Sequence, residues 1–413
     1  MATAGFAQDA KAPLDPEKVY DAFNKLCVDS FGAEKEELTY EAFGKDNKVR
    51  DGSQWFHASL NSACVAWQTQ LPSKAFVEYG PDTSYGQKTE PHERHFYTHV
   101  HYLKGLEPGT TYHYRTVIID ERGQKVEGAD ATFTTLTEDK VSKLQGGQRA
   151  EAVVIDKPGH YVLTADVTSD TTGIEIKTGD VTLDLNGHTV VYDNKKMGPI
   201  DGGFPKWFSE SASGIRMAEY NKKDVRILNG TVRQGAGGDG AQQNAYGFSP
   251  LALQSGKGKS EVAGLTLEYY GTQITGIQQR GSEADIHHNI IVDKGTEITN
   301  RHQGCAAVTG TPKVHHNLIK RARHRGIDVR SGSEITHNEI NVDSCATNSF
   351  AVSLYRKNDT TSSSAAATSS SALPLSAPRA MSKFWITSST SRPPSPAPPG
   401  PSTASKAAPT APA

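Results

Sequence analysis

The chain contains no apolar run of about eighteen residues, so no segment is predicted to cross a membrane as a helix. Cysteine is scarce. Cys27, Cys64, Cys305 and Cys345 occur without a Cys-x-x-Cys pair or any other metal-binding spacing, and each reads as a small buried apolar residue. Charge of one sign is also missing. A net charge of −2 leaves no overall field to draw in nucleic acid or an acidic membrane, and neither is predicted as a partner. From Thr360 to the last residue there is no Asp or Glu at all. That stretch, 360–413, is rich in Ser, Thr, Ala and Pro, and disorder is expected of it. It reads as a secreted stalk or as translation in a shifted frame, because the preceding pattern breaks off in the middle of a repeat.

Glycine, by contrast, is abundant, with 38 residues set among short β-branched runs, which favours an all-β protein. The opening Met1-Ala-Thr-Ala-Gly-Phe-Ala-Gln-Asp-Ala10 resembles the cleavage region of a secretory signal without its basic and apolar parts. Two readings stay open there: a start placed too far downstream, or an alanine-rich terminus. Within residues 1–50 one or two helices are expected. Asp15 caps the first, Pro16 takes its first position, and Val19, Phe23 and Leu26 recur at helical spacing up to Gly32.

Residues 51–137 change to alternating strands, among them Ala63–Trp67, Ala75–Gly80, Tyr97–Tyr102, Thr111–Ile119 and Ala131–Thr135. Leu103-Lys-Gly-Leu106-Glu-Pro-Gly109-Thr-Thr-Tyr112-His-Tyr114 resembles the E–F corner and F strand of a fibronectin type III domain. The resemblance implies a β-sandwich in which Tyr112 is the corner tyrosine that bonds back to the backbone. Val77-Glu-Tyr-Gly80 resembles the version found at the N-terminus of purple acid phosphatases, without the metal ligands of their later domain. His92, His95, His99, His101 and His113 fall in this region. His99 and His101, two apart on a strand, share a face, and a neighbouring strand could supply a third ligand. No acidic residue is placed to complete a shell, so these read as solvent-facing strand residues and no metal ligand is assigned.

A polar linker is expected at 138–152. Beyond it, Ile286-His-His-Asn289-Ile-Ile, Val314-His-His-Asn317-Leu-Ile and Ile335-Thr-His-Asn338-Glu-Ile are copies of one unit. They lie 28 residues apart from Asn289 to Asn317 and 21 from there to Asn338. Val262-Ala-Gly-Leu265 fits one coil earlier, with leucine in the asparagine position. Such a period implies a solenoid whose units bury their apolar side only by stacking. The three asparagines are expected to form an inward ladder bonded from coil to coil.

Val181-Thr-Leu-Asp-Leu-Asn186-Gly and Val225-Arg-Ile-Leu-Asn229-Gly resemble early coils of the pectin-lyase-like family. The fold class expected is therefore all-β: a fibronectin type III-like sandwich, then a right-handed single-stranded parallel β-helix over 153–359, with a short N-terminal helical segment. The helix reads as incomplete at its C-terminal end.

The resemblance implies polysaccharide lyases, hydrolases or epimerases. A lyase needs a cation to neutralise a uronate carboxylate and a base for the C5 proton. Arg301-His302-Gln-Gly and Arg323-His324-Arg-Gly lie one coil apart, and Ile327 and Val329 are expected inward with Asp328 and Arg330 outward. Candidate catalytic residues are Arg280, His302, His324 and Arg330. Candidate substrate-binding residues are Arg301, Arg323, Asp328 and Tyr355. The alternative for this basic cluster is a solvated turn that happens to repeat.

The Asp pair of polygalacturonases, the calcium-binding Asp cluster of pectate lyases and the Asp-Pro-x-x-Asp of mannuronan epimerases are missing. No cofactor is identified, though Ca2+ is compatible with the class. The expected protein is secreted or extracytoplasmic, and its partner is an acidic polysaccharide. A non-catalytic surface or adhesion protein on a β-helix scaffold is the alternative. No feature encodes an oligomeric state.

Overall fold

A computed structural model describes residues 46–194, 212–217, 224–236, 249–270, 275–295, 306–310, 312–322, 325–330, 333–342 and 350–355. The expected N-terminal helices and the tail lie outside these residues. Among the described residues there is no α-helix, and so none long and apolar enough to cross a membrane.

Seven strands make the sandwich: β1 (Trp55–Ala58), β2 (Ser62–Gly80), β3 (Gln87–Lys88), β4 (Phe96–Lys104), β5 (Thr111–Asp120), β6 (Lys125–Glu127) and β7 (Ala131–Thr134). The two runs Ala63–Trp67 and Ala75–Gly80 are halves of one strand, β2. Its first half pairs antiparallel with β1 and β4, and its second with β5 and β3. The register with β4 shifts between Gln68 and Ser73, an irregularity that lets one strand serve both layers of a sandwich. Val65, Trp67, Val77, Leu103 and Tyr112 pack the interior. The Tyr112 hydroxyl accepts a hydrogen bond from the Glu107 amide at 2.9 Å, so the corner tyrosine bonds to the backbone as expected.

Ala63-Cys-Val-Ala-Trp67 reads as a nearly unbroken apolar run, and the structure gives the reason. Alternate residues face the sandwich interior, while Cys64 and Ala66 belong to a second cluster with Phe96, Val100, Ile290 and Leu318. A strand covered on both faces needs no polar alternation. Cys64 is free and fully buried, and burial pushes its thiol well above the usual range.

The second domain is a right-handed parallel β-helix with three sheets. In the first sheet, Ile174 pairs with Ile215, Ile215 with Leu251, Leu251 with Ile277, Ile277 with Val308, Val308 with Ile327 and Ile327 with Val352. Of these, Ile174, Ile215, Leu251, Ile277, Val308 and Ile327 are fully buried in a single core cluster. The polar stretch expected as a linker, 138–152, contributes strands instead. Ser142–Leu144 pairs parallel with Tyr161–Leu163, and Gly147–Arg149 with Val167–Ser169. These strands begin the helix and have a coil on one side only. Their residues are mostly exposed, which is why they read as a linker.

Inside the helix the asparagine ladder forms. The Asn289 side-chain amide donates to Asn317 Oδ1 at 2.9 Å, and that of Asn317 donates to Asn338 Oδ1 at 2.9 Å. All three are fully buried. Leu265, in the leucine variant of the position, donates its backbone N–H to Asn289 Oδ1 at 2.9 Å.

Candidate functional site

The parallel register fixes where the residues of the first sheet lie. Gln278 pairs with Thr309, Thr309 with Asp328 and Asp328 with Ser353, a column that alternates with the inward Ile277–Val308–Ile327–Val352. Gln278, Thr309 and Asp328 are therefore outward positions. Two residues further along their coils, Arg280 and Arg330 share one register position of the sheet, and the backbone of Arg330 pairs with that of Tyr355. Arg280 and Arg330 stand two coils apart, which at the spacing of paired strands is about 10 Å. Arg301, His302, Arg323 and His324 lie outside the described residues.

Ile327 and Val329 are fully buried, as expected of inward residues. Asp328 differs from a free surface carboxylate. It is 8 % exposed, and its Oδ2 is held by the guanidinium of Arg325, itself half-buried at the start of the same strand. Earlier coils of this face are charge-compensated, since Arg216 donates to Glu175 at 2.7 Å.

Sequence reasoning missed the surface that joins the two domains. In six successive coils a corner residue with positive φ separates the second and third sheets: Asn186, Asn229, Gly264, His288, His316 and His337. The sandwich runs along this corner. Tyr102 of β4 places its hydroxyl 3.0 Å from the Gly230 carbonyl and 2.9 Å from that of Gly264. Asn229 donates to Ser62 Oγ at 2.9 Å, and Gln68 donates to the His337 carbonyl at 2.7 Å. His57 meets the fully buried Asp184 at 2.7 Å.

Trp55 lies over His288 at 5.9 Å, His288 over His316 at 5.0 Å and His316 over His337 at 4.7 Å, all within 17° of parallel. A second stack joins His287 to His315 at 4.9 Å. Burial and neighbouring histidines push His288 down to about 3 and His316 down to about 2, so both rings are neutral at physiological pH. The signal was visible as His-His-Asn, His-His-Asn and Thr-His-Asn, one histidine before each ladder asparagine.

Glu339 closes the line of contacts. Its Oε2 accepts the N–H groups of Tyr97 and Thr98, each at 2.9 Å, and the residue is 5 % exposed. Burial outweighs the two donors and raises its carboxyl from an ordinary 4.5 to about 7. Between those values the unfolded chain ionises Glu339 while the folded protein keeps it protonated. Stability is therefore lost as pH rises through this window, by about 3 kcal/mol in full. Glu339→Gln keeps an oxygen that can accept both N–H groups and has no proton to lose. It is expected to match the wild type near pH 5 and to exceed it by about 2–3 kcal/mol at pH 8. Urea melts of both proteins at the two pH values check this, and identical pH slopes would refute it.

Residues 52–136 match the purple acid phosphatase N-terminal domain. The fibronectin type-III domain of human fibronectin type III domain containing protein 3 is similar to the sandwich, with 14 % identity, 23 % of this chain and 95 % of that one covered, and a TM-score of 0.17. A family 28 exopolygalacturonase of Yersinia enterocolitica shares 10 % identity over 76 % of this chain and 73 % of its own, with a TM-score of 0.33. A pectate lyase of Erwinia chrysanthemi, solved with tetragalacturonic acid, shares 9 % identity over 78 % and 97 %, with a TM-score of 0.21. No curated protein matches the chain significantly.

Proposed function

We propose that the protein is a secreted, carbohydrate-active protein that holds an extended acidic polysaccharide along the outward face of the first sheet and cleaves it by β-elimination. The observation that supports this most is the column shared by Arg280, Arg330 and Tyr355, since parallel stacking repeats an outward position at the step of a coil. Guanidinium groups pair with carboxylates in bidentate fashion, and two of them along one line match a polymer that carries a carboxylate on each sugar.

In the reaction, Arg280 and Arg330 neutralise the uronate carboxylate and so acidify the proton at C5. His302 or His324 accepts that proton, the C5 electron pair forms the C4–C5 double bond, and the C4–O bond breaks. Its electron pair leaves with the departing glycan oxygen, which is then protonated. Arg301 and Arg323 bind flanking carboxylates. Asp328 holds Arg325 rather than the glycan directly.

The test is incubation with a panel of uronate-rich glycans, followed by the absorbance of unsaturated uronate. Product is expected from at least one glycan, and His324→Ala with Arg330→Ala is expected to abolish it while the fold remains intact. Tight binding without product from any glycan would make the face a binding module. Turnover unchanged in the double variant would remove the basic column from the site.

A further inference from the structure

The sandwich carries a cluster that the polysaccharide reading does not use. His99 and His101 stand two apart on β4 and point with Trp67 into the sandwich, whose ring lies 5.3 Å from each. They were expected to face solvent, but His99 is fully buried and His101 is 4 % exposed. Trp67 pairs with His99 across β2 and β4, so the apolar filling of the sandwich closes over both rings. His92, half-buried on the loop before β4, brings its ring within 5.6 Å of His99 and 5.0 Å of His101, measured between ring centres. One ring nitrogen from each of the three lies within 4.8 Å of the other two.

The hydrogen bonds around these rings leave lone pairs over. The Thr69 hydroxyl gives its single proton to the Leu71 carbonyl at 2.6 Å, so toward His99 Nε2, 3.4 Å away, it can only accept. With the proton of His99 on Nε2, toward this acceptor, Nδ1 offers a lone pair. That Nδ1 is buried and has no hydrogen-bond partner. His92 Nδ1 and His101 Nε2 are likewise buried without partners. The other nitrogen of His101 lies 3.0 Å from Thr89 Oγ1, which also accepts the Val77 N–H at 2.9 Å. Threonines thus engage the second nitrogen of two rings, as partners of ligating histidines do. Each of these nitrogens is buried without a close hydrogen bond, which is costly unless something takes its lone pair; the backbones of Val100 and Phe96 interact with the rings of His92 and His99 without supplying one.

We infer that His92, His99 and His101 form a three-histidine site for a divalent transition-metal ion of the zinc class, inside the sandwich and separate from the helix. Three imidazoles suit zinc, copper, nickel or cobalt, and they leave a fourth position for water. Zinc–nitrogen bonds of about 2.0–2.1 Å in a tetrahedron require the nitrogens to draw in to about 3.3 Å, within reach of ring rotation and a small shift of the loop. Burial and mutual repulsion hold His99 and His101 well below the usual histidine range, so both are neutral ligands without any proton to displace at pH 7. Lys320, the nearby cation, is paired with Glu93.

The experiment uses the full chain without an affinity tag, stripped with a chelator and titrated with Zn2+ and then with Co2+. One equivalent of Zn2+ is expected to bind with micromolar or tighter affinity and to raise the melting temperature, and Co2+ is expected to show tetrahedral visible bands. His92→Ala, a half-exposed loop position, and His101→Gln should each weaken binding at least about ten-fold. His188→Ala, on the helix and 30 % exposed, should not. If His101→Gln fails to fold, His92→Ala alone decides. Absence of saturable uptake by the wild type, or uptake that His92→Ala leaves unchanged, overturns the assignment.

Discussion

Asn317→Ala is expected to destabilise the protein by about 4–6 kcal/mol, several times the cost of an ordinary surface substitution. The side chain is fully buried, and its oxygen accepts both the Asn289 backbone N–H at 3.0 Å and the Asn289 amide at 2.9 Å. Its nitrogen donates to Asn338 Oδ1 and to the Ile286 carbonyl, each at 2.9 Å. Alanine removes these bonds and leaves a backbone N–H, a carbonyl and parts of two amides buried without partners. Each such group costs about 1–3 kcal/mol. Water cannot easily replace them, because the coils above and below close the space. Asn317→Asp is expected to be no better, since it keeps the acceptor, loses the donors and buries a charge. Equilibrium urea unfolding measures the change. A loss below about 1 kcal/mol would mean the ladder is not a structural element of the helix.

Gly264→Val is expected to cost about 3–5 kcal/mol, through strain and overpacking together. Gly264 has φ of +63°, yet five other corners adopt similar angles with Asn186, Asn229, His288, His316 and His337. Positive φ alone therefore does not demand glycine here. Close approach does: a Cβ would lie 2.6 Å from Trp55 Cζ3 and 2.9 Å from Cys64 Sγ. Both belong to the sandwich, and the Gly264 carbonyl faces the Tyr102 hydroxyl at 2.9 Å. Valine would wedge the sandwich away from the helix as well as strain its own backbone. Limited proteolysis should show faster cleavage between the domains, alongside the loss in the urea midpoint. A valine variant as stable and as resistant as the wild type would show that the two domains do not press together at this corner.

The solenoid was legible because its signals are local. Ile286, Val314, Ile327 and Ile335 alternate with polar neighbours at a period of two, and the coil length is written in the spacing of Asn289, Asn317 and Asn338. Parallel stacking then leaves one register for Ile277, Val308 and Ile327, since a slip by one residue would turn the core outward. The corner tyrosine was legible for the same reason: Tyr112 bonds to Glu107, five residues back. The shared register position of Arg280 and Arg330 followed from that stacking. The pairing of Asp328 with Arg325 did not, because alternation says which side a residue faces and not what covers it.

Local pattern could not show where the sandwich lies. Gln68 reaches the His337 carbonyl across 269 residues, and Glu339 meets the amides of Tyr97 and Thr98 across 242 and 241. No period links such positions, so the histidines beside the asparagines became an interface only once β2 and β4 were laid against them. The three-histidine cluster follows the same rule. His99 and His101 stand two apart on one face of their strand, but whether that face meets solvent or the inside of a sandwich depends on Trp67, which lies across the sheet. The chain by itself determined coils, strands and inward columns, since these repeat over a few residues. Burial of the histidines and the joining of the domains were decided by packing between distant segments, because exposure is a property of what covers a side chain and not of the side chain itself.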